Sequence, residues 1–252
     1  MTIDPRSPDF DPTDLLEQLA DATASLIATA EALDDDAMHA ASALPDWTRG
    51  HVLTHLARNA DGLGNLLTWA VTGERHDMYA SREQRNADIE AGAGRPADAI
   101  TADLVAASER FAEQAAALTP DHWRTQIERR PGELHSAAHV PWWRYLEVLI
   151  HHVDLNAGYS PAHWPADFSA TELEMIVEWF NSPLNKAAVP AFRLYAEDTA
   201  RMLGVRCDPT LKDPLLVRGP ERALLAWLVG RESGDDLVVE PFDALPVLSA
   251  WM

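Results

Sequence analysis

Residues 142–155, WWRYLEVLIHHVDL, are apolar almost all the way round at helical spacing, so this segment must be a buried helix. On a wheel turning about 100° per residue, Arg144, Glu147, His151 and Asp154 nevertheless fall on one narrow polar stripe. A carboxylate and an imidazole one turn apart in such a helix need partners, because burying them unpaired costs on the order of several kcal/mol. Two arrangements satisfy that requirement. One is a metal ion held by Glu147, His151 and a histidine from a facing helix; the other is a hydrogen-bonded network of Arg144, Glu147 and His151. Three protein ligands would leave a coordination position open to water or substrate, the catalytic arrangement, and Asp154 could orient His151 from behind.

The facing helix is found at 48–71. Val52, Leu53, Leu56, Ala60, Leu63, Leu66 and Leu67 form one apolar arc, and His55 stands at its edge near Asn59. Thr48 is placed to cap this helix. Further helices are expected at 13–33, capped by Thr13 or Asp14, at 97–118, and from Pro141 to about 156, stopped by Gly158. Four helices of this length make a four-helix bundle. The long crossovers at 72–95, with one short helix inside, and at 119–140, with short strands, allow a topology other than a meander. Beyond about 160–168 the pattern changes to a helix at 170–181, strand-like runs at 191–198, 213–220 and 236–241, and a helix at 220–231. The fold class is therefore α+β with two domains, 1–162 and 163–252, the second small and itself α+β.

Charge narrows the function. A net charge of -20 excludes nucleic acid and anionic membrane surfaces, both of which require clustered basic side chains. A small anionic substrate stays open, because a few pocket arginines can reverse the field locally. No apolar run approaches the roughly 20 residues that span a bilayer, and no secretory signal is evident, so a cytoplasmic protein is expected. The single cysteine, Cys207, has no neighbouring base in GVRCDPT and reads as an ordinary residue; a thiol, if the chemistry needs one, comes from outside. The pairs His51/His55 and His135/His139 share i, i+4 spacing, but His51 lies off the arc. His135 and His139 read as solvent histidines beside an irregular loop, and His152 as a surface or packing residue.

Three segments carry a family resemblance. DWTRGHVLTHLARNAD resembles the signature of DinB-like helical metalloproteins, and WRYLEVLIHHVDL resembles the R-x-x-E-x-x-x-H-x-x-D-L signature of their mycothiol-dependent branch. WAVTGERHDMYASREQRNADIEAG is similar to the corresponding segment of mycothiol-dependent maleylpyruvate isomerases, and a weaker likeness continues to LLAWLVGR. The resemblance implies a DinB-like N-terminal bundle holding a divalent metal, zinc being the expected ion, through His55, Glu147, His151 and water. It implies functional arginines at Arg85 and Arg231, with Arg218 and Arg222 as competing positions, and a C-terminal domain that contributes to the active site.

The implied reaction is conversion of maleylpyruvate to fumarylpyruvate with mycothiol as cosubstrate. A thiolate adds to the cis double bond, the resulting single bond rotates, and elimination returns the thiol and the trans product. Arginines are suited to clamp the substrate carboxylates and the developing enolate. Two other readings use the same scaffold: a mycothiol-dependent S-transferase acting on an electrophile, and a non-enzymatic metal-binding protein.

Overall fold

The computed structural model describes residues 3–7, 10–130, 132–183, 185, 189–207, 215–241 and 244–248. The chain is α+β and divides into two compact units, Met1–Tyr159 and Ser160–Met252.

In the first unit, helices α1 (Pro12–Glu31), α3 (Arg49–Thr72), α5 (Ala97–Ala116) and α7 (Val140–Asp154) pack in a closed ring, α1 on α7 and α5, and α3 on α5 and α7. Between α1 and α3 comes the short α2 (Asp35–His39). The start of α1 corrects the sequence expectation. Neither Thr13 nor Asp14 is the cap; Asp11 accepts from the Thr13 amide at 2.9 Å, and Pro12 opens the helix. A proline at the first position needs no amide partner and is preset for helix, so it draws the start upstream. The expected cap of α3 is observed: Thr48 accepts from the His51 amide, and His51 Nδ1 accepts from the Thr48 amide in return. Gly73 ends α3 in the left-handed conformation at φ 73°.

The crossover at 72–95 holds more helix than the sequence suggested. Ser81 caps α4 (Arg82–Ala93), which buries Ile89, Gly92 and Ala93 against α3. Apart from these positions and two exposed alanines its sequence is polar, so it shows little periodicity to read. The approach is close: a Cβ on Gly50 of α3 would lie 2.5 Å from the Ala93 carbonyl oxygen. In the second crossover lie α6 (Pro120–Trp123) and the antiparallel strands β1 (Gln126–Arg130) and β2 (Glu133–Ser136). Their register shifts between Glu128 and Arg130, which leaves Arg129 as the extra residue of a bulge.

Every residue of α7 is buried, as its apolar wheel required. The helix stops at Asp154, two residues earlier than expected, because Asn156 takes φ 50° ahead of Gly158 at φ 97°.

The second unit has α8 (Ala166–Asn181), α9 (Glu221–Leu228) and a four-stranded sheet in the order β4-β3-β5-β6. Its strands are β3 (Phe192–Ala196), β4 (Arg201–Val205), β5 (Leu215–Gly219) and β6 (Val238–Glu240), with β3 and β5 parallel and the other pairs antiparallel. Helix α9 lies on β3 and β5, and α8 packs on α9 and β4. Asp213 and Pro214 of the expected strand run lie outside the described residues. Strand β4 was not expected. It is an edge strand with Gly204 inside it and Met202 exposed, so it lacks the β-branched alternation that marks a strand. Among the described residues no helix is long and apolar enough to cross a membrane.

A candidate metal centre

Two helices set the site. The first turns of α3, fixed by the Thr48–His51 cap, carry His55 inward; α7 presents Glu147 and His151 one turn apart. The three side chains are only 4%, 6% and 5% exposed, so their charges and lone pairs must be satisfied by one another or by a guest. His55 Nε2 lies 3.1 Å from Glu147 Oε2 and 3.2 Å from His151 Nε2, and His151 Nε2 lies 3.3 Å from Glu147 Oε2.

That triangle is the size a metal requires. A tetrahedral ion with bonds of about 2.0–2.1 Å sets its ligand atoms roughly 3.3 Å apart. Two imidazole nitrogens turned toward each other beside a carboxylate oxygen also form the donor set of a three-ligand zinc-type site. The residues therefore fit a divalent ion.

The surroundings orient the donors. His151 Nδ1 donates to Asp154 Oδ2 at 2.7 Å, which turns Nε2 toward the other two ligands. An arginine can only donate, so Arg85 Nη2, 3.0 Å from His55 Nδ1, donates to it and leaves the ring hydrogen on Nε2, facing Glu147. Burial pushes the Glu147 carboxyl up, but hydrogen bonds from His151 and His55 outweigh it and hold the group well below 4.5. Burial pushes His151 down, and the Asp154 and Glu147 carboxylates more than reverse it, so His151 is raised. For His55 burial prevails and pushes it down to about 4, helped by the neighbouring His151 and Arg85 charges. Glu147 is thus ionised and His55 neutral at neutral pH.

Arg144 does something other than the metal-free network proposed from the sequence. Among the described residues it makes no ion pair with Glu147. Its Nη1 instead donates to the Leu56 carbonyl at 2.8 Å and to Asn59 Oδ1 at 3.0 Å, tying α7 to the turn of α3 that carries His55. Burial pushes this guanidinium down to about 10, against the attraction of Glu147.

His55 and Glu147 line a cavity of about 630 Å³. Arg85 stands on its wall, as do Tyr79, Arg82, Arg129 and Arg130. Arg75 is there too, but it is committed to Asp77 at 2.9 Å and Glu128 at 2.6 Å. In a chain of net charge -20, five arginines beside Asp77, Glu128 and Glu147 make this wall locally basic. The Arg85 guanidinium sits 5.6 Å over the Tyr79 ring, and Tyr79 fits against α3 because residue 62 is glycine. A Cβ on Gly62 would lie 3.0 Å from that ring.

Sequence reasoning missed Arg129 and Tyr79. Both come from the crossovers, where helical periodicity says nothing, and the one cue, for Arg129, was the pair of arginines before Pro-Gly in the sequence.

The other candidates have the following partners within their own units. Arg231, in the second unit, donates from Nη1 to the Val229 carbonyl at 2.7 Å. Arg218 pairs with Glu197 at 2.6 Å and Glu240 at 3.1 Å, and Arg222 bonds the Ala162 carbonyl at 3.1 Å. His51 is used in the α3 cap and approaches Glu90 at 3.4 Å. His135 and His139 are not solvent residues; both are half-buried, with His135 edge-on to Trp143 at 5.2 Å. His152 is a packing residue, stacked on Tyr159 at 3.7 Å. Cys207 is partly buried and directs its thiol to the Phe192 carbonyl.

Comparison with known proteins finds likeness at two levels, sequence family and solved structure. Residues 7–156 match the family model of the mycothiol maleylpyruvate isomerase N-terminal domain, and residues 163–250 match that of the MDMPI C-terminal domain. Two crystal structures of a mycothiol-dependent maleylpyruvate isomerase, one of them an alanine variant, superpose with a TM-score of 0.86 at 25% identity. The match covers 96% of this chain and 98% of theirs. No curated protein matches the chain.

Proposed function

The chain belongs to the mycothiol maleylpyruvate isomerase family, and from that premise we propose that it is a metal- and thiol-dependent cis-trans isomerase acting on maleylpyruvate. The observation that carries the reading is that, of three buried donors 3.1 to 3.3 Å apart, His55 and Glu147 open onto the arginine-rich wall of one cavity. In this reading the ring of α1, α3, α5 and α7 is a DinB-like four-helix bundle, His55, Glu147 and His151 hold the metal, zinc being the expected ion, and mycothiol is the cosubstrate. A divalent ion bound there supplies Lewis acidity, which favours thiolate over thiol at neutral pH.

The protein's own groups have the following tasks. If His55 held the ion through Nε2, its ring hydrogen would sit on Nδ1 and the Arg85 hydrogen bond to that nitrogen would be lost. The Arg85 guanidinium is then left for the cavity, where it holds a substrate carboxylate beside the reacting alkene. Asp154 keeps the His151 ring hydrogen on Nδ1. The buried wall of α7 keeps bulk water from the floor of the site, which strengthens each of these charge contacts. The thiolate sulfur forms a bond to one alkene carbon while the π electrons move onto the conjugated ketone as an enolate. The former double bond rotates, the enolate collapses, and the carbon–sulfur bond breaks to return the thiolate. Arg231 enters on the family resemblance as a second arginine for the enolate or the distal carboxylate, contributed by the C-terminal domain.

The test is turnover of maleylpyruvate by zinc-loaded protein with and without mycothiol, following loss of the cis enol and appearance of fumarylpyruvate. Thiol-dependent turnover that is abolished in Arg85→Gln with metal retained supports the reading. No turnover, with metal still bound, overturns the isomerase reading and moves the site to S-transfer onto an electrophile.

A further inference from the structure

Five arginines stand on the wall of the cavity, and their commitments differ. Arg75 is neutralised by Asp77 and Glu128, Arg82 and Arg130 belong to exposed stretches of chain, and Arg85 rests on His55. Arg129 is the exception. Its side chain is 23% exposed, yet among the described residues it donates no hydrogen bond. Its only ion pair there is with Glu147 Oε1 at 3.7 Å, too long for a hydrogen bond. A guanidinium carries five donors in a planar fork, and here the described residues take none of them, so the fork is open to a ligand in the cavity.

Three features hold it ready. Arg129 is the extra residue of the β1–β2 bulge, a device that breaks strand alternation and re-aims a side chain. The bulge allows Glu128, Arg129 and Arg130 all to line the cavity, where a regular strand would turn alternate residues away. The Arg129 guanidinium also lies 4.8 Å over the ring of Trp143, a cation–π contact that supports it without using its donors. Trp143 is one turn before Glu147 on α7, so a single helix supplies both the platform for the arginine and a donor of the triad. Ligation of Glu147 to a cation would take up the carboxylate charge that now faces Arg129.

We propose that Arg129 is a specificity-determining residue of this site, binding one carboxylate of a dicarboxylate substrate while Arg85 binds the other. The inference rests on the isomerase reading for the identity of the substrate, and on the geometry alone for the two-carboxylate requirement. Arg85 reaches the donor triangle from the His55 side and Arg129 from the Glu147 side, so a dianion held between them spans the triad. A monocarboxylate can use only one of the two.

The experiment is calorimetric titration of zinc-loaded protein with maleate, and separately with the monocarboxylate crotonate, using wild type, Arg129→Gln and Arg129→Lys. Metal content is measured on each sample. Loss of a charge-assisted fork to a carboxylate weakens binding by about tenfold to a hundredfold. Arg129→Gln is expected to weaken maleate by that factor, to change crotonate by less than about threefold, and to keep its zinc. Arg129→Lys, which keeps the charge but not the fork, falls between; if Arg129→Gln does not fold, this variant decides. Unchanged maleate affinity in a metal-replete variant overturns the proposal, as does equal weakening of both ligands. Loss of zinc from Arg129→Gln also overturns it, since the residue would then serve Glu147. Wild-type protein that fails to isomerise maleylpyruvate, while Arg129→Gln still weakens maleate selectively, overturns the isomerase reading and leaves the anchor standing.

Discussion

His151 and Asp154 are joined by a 2.7 Å hydrogen bond from Nδ1 to Oδ2, made within one turn of a fully buried helix. The bond decides which nitrogen of His151 is available to the triad. Replacing Asp154 by alanine frees the ring to rotate and removes the charge that supports a ligated imidazole. Metal affinity in Asp154→Ala should fall by about tenfold to a hundredfold, the usual weight of such a partner. Competition against a chelator of known affinity measures it, and the fold should survive, because the ligands themselves remain.

Arg144 ties α7 to α3 through the Leu56 carbonyl and Asn59 Oδ1. Arg144→Met fills similar volume but leaves Asn59 Oδ1 buried without this donor, at a cost of about 1–3 kcal/mol. Denaturant unfolding should show that loss. The distance between the His55 and Glu147 backbones is set by the same tie, so metal affinity should fall with it even though Arg144 is no ligand. A variant that is less stable but binds metal normally would assign Arg144 to packing alone.

Acid should destabilise the metal-free protein in a way that His55 largely dictates. The folded protein holds His55 down at about 4, from an ordinary 6.5, chiefly by burial. Between those values the unfolded chain takes up a proton that the folded chain refuses, so stability falls as pH drops from 6.5 to 4. At about 1.36 kcal/mol per pH unit the full effect is on the order of 3 kcal/mol. Glu147, held below 4.5, loses its stabilising contribution only as pH falls further, in the same direction. His151 is raised, so its contribution is complete below 6.5 and is lost only at higher pH; it adds no slope in this window. Chelator-treated wild type should lose stability between pH 6.5 and 4.5, and His55→Gln should lose clearly less.

The legible parts of this chain were those under strict physical constraint. A helix apolar on every side does not carry Glu147 and His151 without partners, and that contradiction marks both residues in the sequence; the fold brings them together with His55. Thr48 and the strand runs around β3, β5 and β6 were readable for the same reason, since caps and alternation are local chemistry. The crossovers were not. Helix α4 buries only Ile89, Gly92 and Ala93, so its tertiary contacts leave little trace in hydrophobic period. Arg129 depends on a bulge whose register is set by β2. The stripe placed Arg144 beside Glu147 and His151 in the metal-free alternative, but a wheel does not show how far a long side chain reaches, and this one crosses to α3.

The central claim is that His55, Glu147 and His151 hold one divalent ion. It is tested most directly by stripping the protein, titrating it with zinc, and counting equivalents bound by wild type, His55→Ala and His151→Ala under identical conditions. The account predicts one tight equivalent in wild type and at least a hundredfold loss of affinity in each variant, as expected when one of three protein ligands is gone. Wild type that binds no zinc or other divalent ion, or variants that bind it as tightly as wild type, would contradict it.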